Sequence, residues 1–399
     1  MKYLHFRLLE FCKYAFISFN GKTNRHSILK LFSFLFLISI LYSCSSLRVK
    51  YDKNYMKNYP VSDEIFFRNY ADSLNFYIGS IGNTSTIPLK EFYNNFNSIT
   101  LENELKIGSL LKNIETREYD FSIADSIVNL ALKERLRIRG HTLVWGKASD
   151  MYKSPDLDAY LKKFPINERS KILWSIVEDH LTTVLNHYRG KIFIWDAINE
   201  PLATWGSGKL EKNVYYRYLG QNYITDILKL ANTIDPDLKL YINEYFWNYS
   251  GKRAESFYNL IKTLKENGTP IHGVGIQAHI PFADPSLEEL RSYIQKITDL
   301  GLEVELTELD ARLRLFRSKQ DPYQAQGELY AEVLNICLDN PLCTGLTFWG
   351  FSDNDCWYDD EPLFRKPNKP YIFDENMFPK PAYFNIYQTF KKRYNMKYY

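Results

Sequence analysis

The chain has 399 residues, of which 45% are hydrophobic and 24% charged, with a formal net charge of +3. That composition supplies a large core and gives no support to a nucleic-acid partner. Length alone suggests two or three domains, although a single large α/β barrel would also use most of it. Aromatic residues make up 16%, with 31 tyrosines and 26 phenylalanines; sugar platforms and an AT-rich coding sequence both produce such an excess.

The amino-terminal segment reads as an export signal. Lys22, Arg25, His26 and Lys30 precede Leu31–Tyr42, an apolar run of twelve residues. That is short for a membrane span and suits a signal h-region. The run ends in Leu41-Tyr42-Ser43-Cys44, which resembles a bacterial lipobox, with Tyr42 bulkier than usual. The expectation is a lipoprotein signal peptide over residues 1–43, a lipid on Cys44, a tether over 44–63 and one folded domain over 64–399. The protein is then exported and anchored to a bacterial membrane, at the outer membrane or cell surface; simple secretion is the alternative.

Beyond residue 64 short apolar strands alternate with amphipathic helices. Strands are predicted at 76–81, 96–100, 137–145, from Phe193 to Ile198, and at 239–245, 273–280, 302–309 and 345–351. Helical spacing lies between them: Ile123, Ile127, Val128 and Ala131; Ile172, Ile176, Val177, Leu181 and Val184; Leu219, Ile224, Leu228 and Ala231; Phe257, Leu260, Ile261 and Leu264. Ser286 and Glu289 make a capping box for the next helix, and Tyr330, Val333 and Leu334 mark the last internal one. Eight strands separated by helices imply a parallel (β/α)8 TIM barrel as a single catalytic domain.

In such a barrel the functional groups sit at the carboxyl ends of the strands. Polar and aromatic residues collect there: Glu102, Asn103 and Lys106 after the second strand, His141 and Trp145 on the third, and Asn199 and Glu200 after the fourth. Asn243 and Glu244 follow the fifth, Gln277 and His279 the sixth, Glu308 and Asp310 the seventh, and Trp349 the eighth. Either glutamate alone would be as much at home in an ion pair. Glu200 and Glu308 together, on strands facing one another across the mouth, have the layout of a glycosidase: an acid for the leaving oxygen and a nucleophile about 5–5.5 Å away. His279 is placed to keep Glu308 charged, with Asp310 behind it. No cysteine pair has CxxC spacing and no His/Asp/Glu cluster has ligand spacing, so neither metal nor cofactor is expected.

Several stretches resemble glycoside hydrolase family 10, the β-1,4-xylanases. They are Phe96 to Lys106 (FNSITLENELK), Arg139 to Trp145 (RGHTLVW), Trp195 to Glu200 (WDAINE), His272 to His279 (HGVGIQAH), Thr307 to Asp310 (TELD), Trp349 to Asp353 (WGFSD) and Pro379 to Tyr383 (PKPAY). The resemblance implies a retaining endo-1,4-β-xylanase acting on xylan or xylo-oligosaccharides as a monomer, with Glu200 as acid/base and Glu308 as nucleophile. It further implies that Asn199 binds the 2-hydroxyl of the sugar being cleaved and that His141, Trp145, Lys106 and Trp349 line that subsite. Glu102 and Asn103 would hold the next sugar toward the non-reducing end, Gln277 would sit near the acid/base, and Trp357 would close the site.

The chain departs from the family at four places. Gly146, Ala148 and Ile107 replace a histidine, a glutamine and a tryptophan, and Glu244 replaces an aspartate. Each lost sugar hydrogen bond is worth ~0.5–1.5 kcal/mol, so weaker or altered glycone binding is expected. Members of the family often join cysteines at the place of Cys337 and Cys343; two buried thiols are the alternative, and Cys356 is assigned no chemistry. Two other functions stay open: another retaining β-glycanase, or a catalytically idle surface protein that binds xylan.

Overall fold

The computed structural model describes residues 66–146, 156–203, 208–282, 286–361 and 363–398. Residues 1–65 and Ala148 lie outside these, so the expected signal peptide, the expected lipid site Cys44 and the expected tether fall outside the described residues. Eight parallel strands close into one barrel: β1 (Tyr77–Ile81), β2 (Ser98–Thr100), β3 (Arg137–Trp145), β4 (Ile194–Asn199), β5 (Lys239–Glu244), β6 (Gly273–Ile276), β7 (Glu303–Ala311) and β8 (Cys343–Phe348). Each strand pairs with the next, and β8 returns to β1, with Tyr77 beside Gly345 and Ser80 beside Phe348. Closure leaves no edge strand in the barrel.

Helices cover the outside: α1 (Ser122–Lys133), α2 (Arg169–His187), α3 (Tyr223–Ile234), α4 (Lys252–Glu266), α5 (Leu287–Thr298), α6 (Pro322–Leu338) and α7 (Pro381–Tyr398). Their apolar stripes set the orientation: α1 buries Ala124, Ile127, Val128 and Ala131 at i, i+3, i+4 and i+7. Ile123, expected on that face, is 63% exposed because this stripe turns it outward. Ser286 caps α5 by accepting the Glu289 N–H at 3.2 Å. Asp321 caps α6 by accepting from Tyr323 and Gln324, with Pro322 at the first helical position.

Two other expectations shift. Phe193 is 56% exposed, and β4 begins one residue later. The helix expected from Leu219 is two helices, Val214–Leu219 and α3, separated at Gly220, whose φ of +86° no L-residue adopts readily.

The barrel interior carries charge. Arg137, Arg139 and His141 alternate along β3 and share one face of the strand. Glu305 on β7 receives two hydrogen bonds of 2.8 Å from Arg137 and one of 3.0 Å from Arg139. Arg139 also donates to both oxygens of Asp196 on β4. Burial raises the pKa of Asp196 and Glu305, but the guanidinium charges win and hold both below the usual carboxylate range. Close approach is allowed by Gly140, where a Cβ would stand 2.2 Å from the Trp195 ring.

A disulfide joins Cys337 at the end of α6 to Cys343 at the start of β8, with Cα atoms 5.1 Å apart. Cys356 is buried and outside that bond. Residues 66–356 and 368–398 belong to one compact unit, the barrel; Trp357–Pro367 falls outside it. Within that segment Trp357 stacks on Tyr358 at 4.2 Å.

Candidate active site

The strand ends bring together residues that lie more than a hundred positions apart in sequence. Glu200 follows β4 with φ of +50°, a left-handed conformation unusual for a glutamate. Its N–H donates to the Asn243 carbonyl at 2.8 Å, and Pro201 ends the strand behind it. The Glu200 carboxylate accepts from Gln277 Nε2 at 3.2 Å, and Gln277 also reaches Asn199 Oδ1 at 3.4 Å.

Asn243 on β5 completes the chain of contacts. Its Nδ2 donates to Asn199 Oδ1 at 2.9 Å and to Glu308 Oε1 at 2.7 Å, while Thr307 Oγ1 donates to its Oδ1 at 2.6 Å. An unbroken line of hydrogen bonds therefore runs from Glu200 through Gln277, Asn199 and Asn243 to Glu308.

The second oxygen of Glu308 faces His279 Nε2 at 3.0 Å, and His279 Nδ1 meets Asp310 at 2.8 Å. Burial alone would push the imidazole down, but the charge and hydrogen bond of Asp310, helped by Glu308, lift it to about 10. His279 is thus an imidazolium at neutral pH, donating from both nitrogens. It reaches Glu308 because β6 is interrupted: Ala278 takes φ of +60°, and His279–Ile280 then pair again with Asp310 and Ala311.

The other expected residues gather on β2, β3 and β8. His141 Nδ1 lies 3.0 Å from Asp196, and its ring stands edge-on to Trp349 at 5.4 Å. Trp349 is also edge-on to His279 at 6.4 Å. The Lys106 ammonium donates to Asn103 at 2.9 Å and sits 4.8 Å from the centre of the Trp145 ring. Burial lowers the Lys106 pKa, offset in part by Glu102, Glu308, Glu200 and Glu104, so the ammonium lies within the field of both catalytic candidates. Burial raises the Glu102 carboxyl against the pull of Lys106, and Glu102 lines a cavity of about 50 Å³ with Asn83, Thr86, Glu104 and Asp355.

Residues 71–389 match the profile described as Glycosyl hydrolase family 10. The chain belongs to glycoside hydrolase family 10. It is 34% identical over 339 residues to endo-1,4-β-xylanase B of Thermotoga neapolitana, covering 83% of this chain and 93% of that one. The crystal structure of native xylanase 10B from Thermotoga maritima superposes with a TM-score of 0.73 at 30% identity, over 83% of this chain and 99% of that one. Xylanase 10B from Thermotoga petrophila RKU-1, in complex with xylobiose, also gives 0.73 at 30% identity, over 82% and 98%.

Seen within the family 10 barrel, two departures acquire a physical basis. Glu244 does not face the cleft: it is fully buried, paired with Arg253 at 2.6 Å, and accepts the Leu202 N–H at 3.1 Å. It fastens the loop after β4 to α4, and the expectation that it alters sugar contacts is withdrawn. A Cβ at Gly146 would lie 2.1 Å from Asn213 Nδ2. Asn213 is itself fixed, since it caps Val214–Leu219 by accepting the Tyr216 N–H at 3.0 Å. Ile107 is buried at the start of a short helix. Trp357 lies in the segment outside the barrel unit.

Sequence reasoning named Asn243 at the mouth but gave it no role, and missed Thr307, Asp196 and Arg139. A signal existed for Asp196. One acid in the apolar run Phe193–Ile198 requires a buried cation, and Arg139 on the neighbouring strand supplies it. Asp353 and Lys380, both inside recognised motifs, turn out to form a buried ion pair at 3.0 Å.

Proposed function

We propose that the protein is a retaining endo-1,4-β-xylanase, with Glu308 as nucleophile and Glu200 as acid/base. The observation that carries this is the hydrogen-bonded line from Glu200 to Glu308 closed by His279 and Asp310, in a family 10 chain whose relatives include endo-1,4-β-xylanase B of Thermotoga neapolitana. Glu308 receives one N–H on each oxygen, which aims the carboxylate at the anomeric carbon. Its attack forms a glycosyl-enzyme as Glu200 protonates the departing oxygen; Glu200 then takes a proton from the water that hydrolyses the ester. Asn199 Oδ1 is committed to two N–H donors, so the amide presents its Nδ2 to a sugar hydroxyl. Lys106, Trp145, His141, Trp349, Glu102 and Asn103 form the wall that receives the glycone.

The test is reducing-sugar release from arabinoxylan, glucuronoxylan and mixed-linkage β-glucan by residues 47–399. Release mainly from the xylans is the expected result. Release mainly from β-glucan would make it a glucanase on the same barrel, and none from any would make it a binding protein.

The enzyme is further proposed to work as a monomer held at a bacterial membrane by a lipid on Cys44. Full-length protein should enter the detergent phase of a cell extract and Cys44→Ser the aqueous phase. Equal partitioning of the two would rule the anchor out.

A further inference from the structure

The chain enters the barrel at its amino-terminal face, opposite the cleft. The short helix Arg68–Ser73 leads into the start of β1, and the Phe76 N–H donates back to the Ala71 carbonyl at 3.0 Å. Helix α7 ends against it. The Lys397 ammonium and the Tyr398 hydroxyl both donate to the Ser73 carbonyl, at 3.0 and 2.9 Å, and the rings of Tyr387 and Tyr394 stand edge-on to Tyr70. The end of α1 joins them, since Arg68 donates to the Glu134 and Arg135 carbonyls at 3.1 and 2.9 Å. Three elements thus meet where the polypeptide of residues 1–65 is attached.

The charge at this junction is one-sided. From Pro381 to Tyr398, α7 carries Lys391, Lys392, Arg393 and Lys397 and no acidic residue. Its buried residues all lie at or before Phe390, so the turns after it stand out from the barrel. Arg393 is taken by Asp339 at 2.6 Å. Lys391, Lys392 and Lys397 are exposed and meet no carboxylate within ion-pair distance among the described residues. The same holds for Lys133 and Arg135 at the end of α1. The acids on the adjoining segments are Glu134 and Asp72, and Asp72 accepts from Asn97 and lies 3.8 Å from Arg68. The helix macrodipole accounts for a cation in the last turn, Lys397, but not for the pair before it. A solvated helix face ordinarily interleaves acids with its lysines. Met396 and Tyr398, at 70% and 50% exposure, stand among these cations. Basic side chains beside an exposed tyrosine and an exposed apolar residue match the layer of anionic headgroups at a lipid surface.

We infer that the end of α7, with the end of α1 beside it, is a docking face for the anionic headgroups of the membrane. This rests on the membrane-held reading above and gives the orientation in which the barrel is held. The lysines meet lipid phosphates, and Met396 and Tyr398 enter the headgroup layer. The strand ends that carry Glu200 and Glu308 then point away from the lipid. A polymer too bulky to pass between barrel and membrane requires that orientation.

The experiment uses residues 47–399, which keep every described residue and lack Cys44, so that binding is read without the lipid. It measures cosedimentation with vesicles of phosphatidylcholine alone and of phosphatidylcholine with about one-third phosphatidylglycerol. Wild type should favour the anionic vesicles about tenfold or more at low salt and lose the preference at high salt. Lys391→Glu/Lys392→Glu/Lys397→Glu should bind both vesicles alike and keep its activity on xylan. Lys162→Glu/Lys163→Glu/Lys171→Glu, the same change of charge on the cleft side, should bind as wild type does. Equal binding of wild type to the two vesicles would overturn the docking face, and so would an equal response of the two triple variants. The anchor fails separately, by the detergent partitioning of Cys44→Ser. A docking face lost while full-length protein still enters the detergent phase would leave the anchor standing.

Discussion

Asn243 serves two acceptors with one nitrogen, and Thr307 makes that possible by occupying its oxygen. Asn199 is thereby oriented, and with it the Nδ2 proposed to meet the sugar. Glu200 is held differently, by a left-handed backbone that costs of order 1–3 kcal/mol and is kept in place by the hydrogen bond to Asn243. The two carboxylates stand in different settings: Glu308 receives an N–H on each oxygen, from Asn243 and His279, and Glu200 accepts from Gln277. Their roles are separable by leaving group. Glu200→Ala should lower kcat/KM on xylan by about 10²–10⁴, because the departing sugar needs a proton. On a nitrophenyl xylobioside, whose leaving group needs none, the loss of the glycosylation step should be far smaller. Equal losses on both substrates would mean that Glu200 acts through structure alone. At this scale the sequence was informative where a polar residue ended an apolar run, as with Glu200, Glu308, His279 and Asp310. It was silent where the role depends on a neighbour. Thr307 inside a strand, or Asn213 behind Gly146, has no one-dimensional signature.

Helix α2 illustrates what pattern reading leaves out at the scale of an element. Its stripe of Ile176, Val177, Leu181 and Val184 was legible, but the same face also buries His180. Tyr119 stacks on that ring at 5.9 Å. Burial, opposed only in part by the Leu143 main chain, holds the imidazole down to about 4. An unfolded histidine titrates near 6.5, so between these values only the unfolded chain takes up the proton. Stability is whole above about pH 6.5 and falls by about 3 kcal/mol as pH drops to 4. His180→Leu should flatten this acid limb in urea titrations run across that range. An acid limb of equal slope in the variant would assign the loss to other groups.

At the scale of the whole molecule, the strand order and the closed barrel followed from eight apolar runs separated by helical stripes. Observed strands differ from expected ones mainly at their ends, as at Phe193, because apolar character extends past the hydrogen-bonded ladder. What periodicity did not reveal is that the barrel interior is charged. Arg137, Glu305, Arg139, Asp196 and His141 run as one connected set of ion pairs and hydrogen bonds from β7 and β3 to the ring beside Trp349. Alternation puts Arg137, Arg139 and His141 on one side of β3, but pairing across strands decides which charges meet. The same holds for the disulfide, which ties the end of α6 to β8, the strand that leads to Trp349. The barrel thus delivers residues from strands β2 to β8 to one cleft, and the claim at its centre is that Glu308 forms the covalent bond. Incubation with a 2-deoxy-2-fluoro xylobioside bearing a good leaving group, followed by peptide mass mapping, tests this most directly. The account predicts one added disaccharide on the peptide containing Glu308, with none in Glu308→Gln. A label on another residue, or turnover to the inverted anomer without any label, would contradict it.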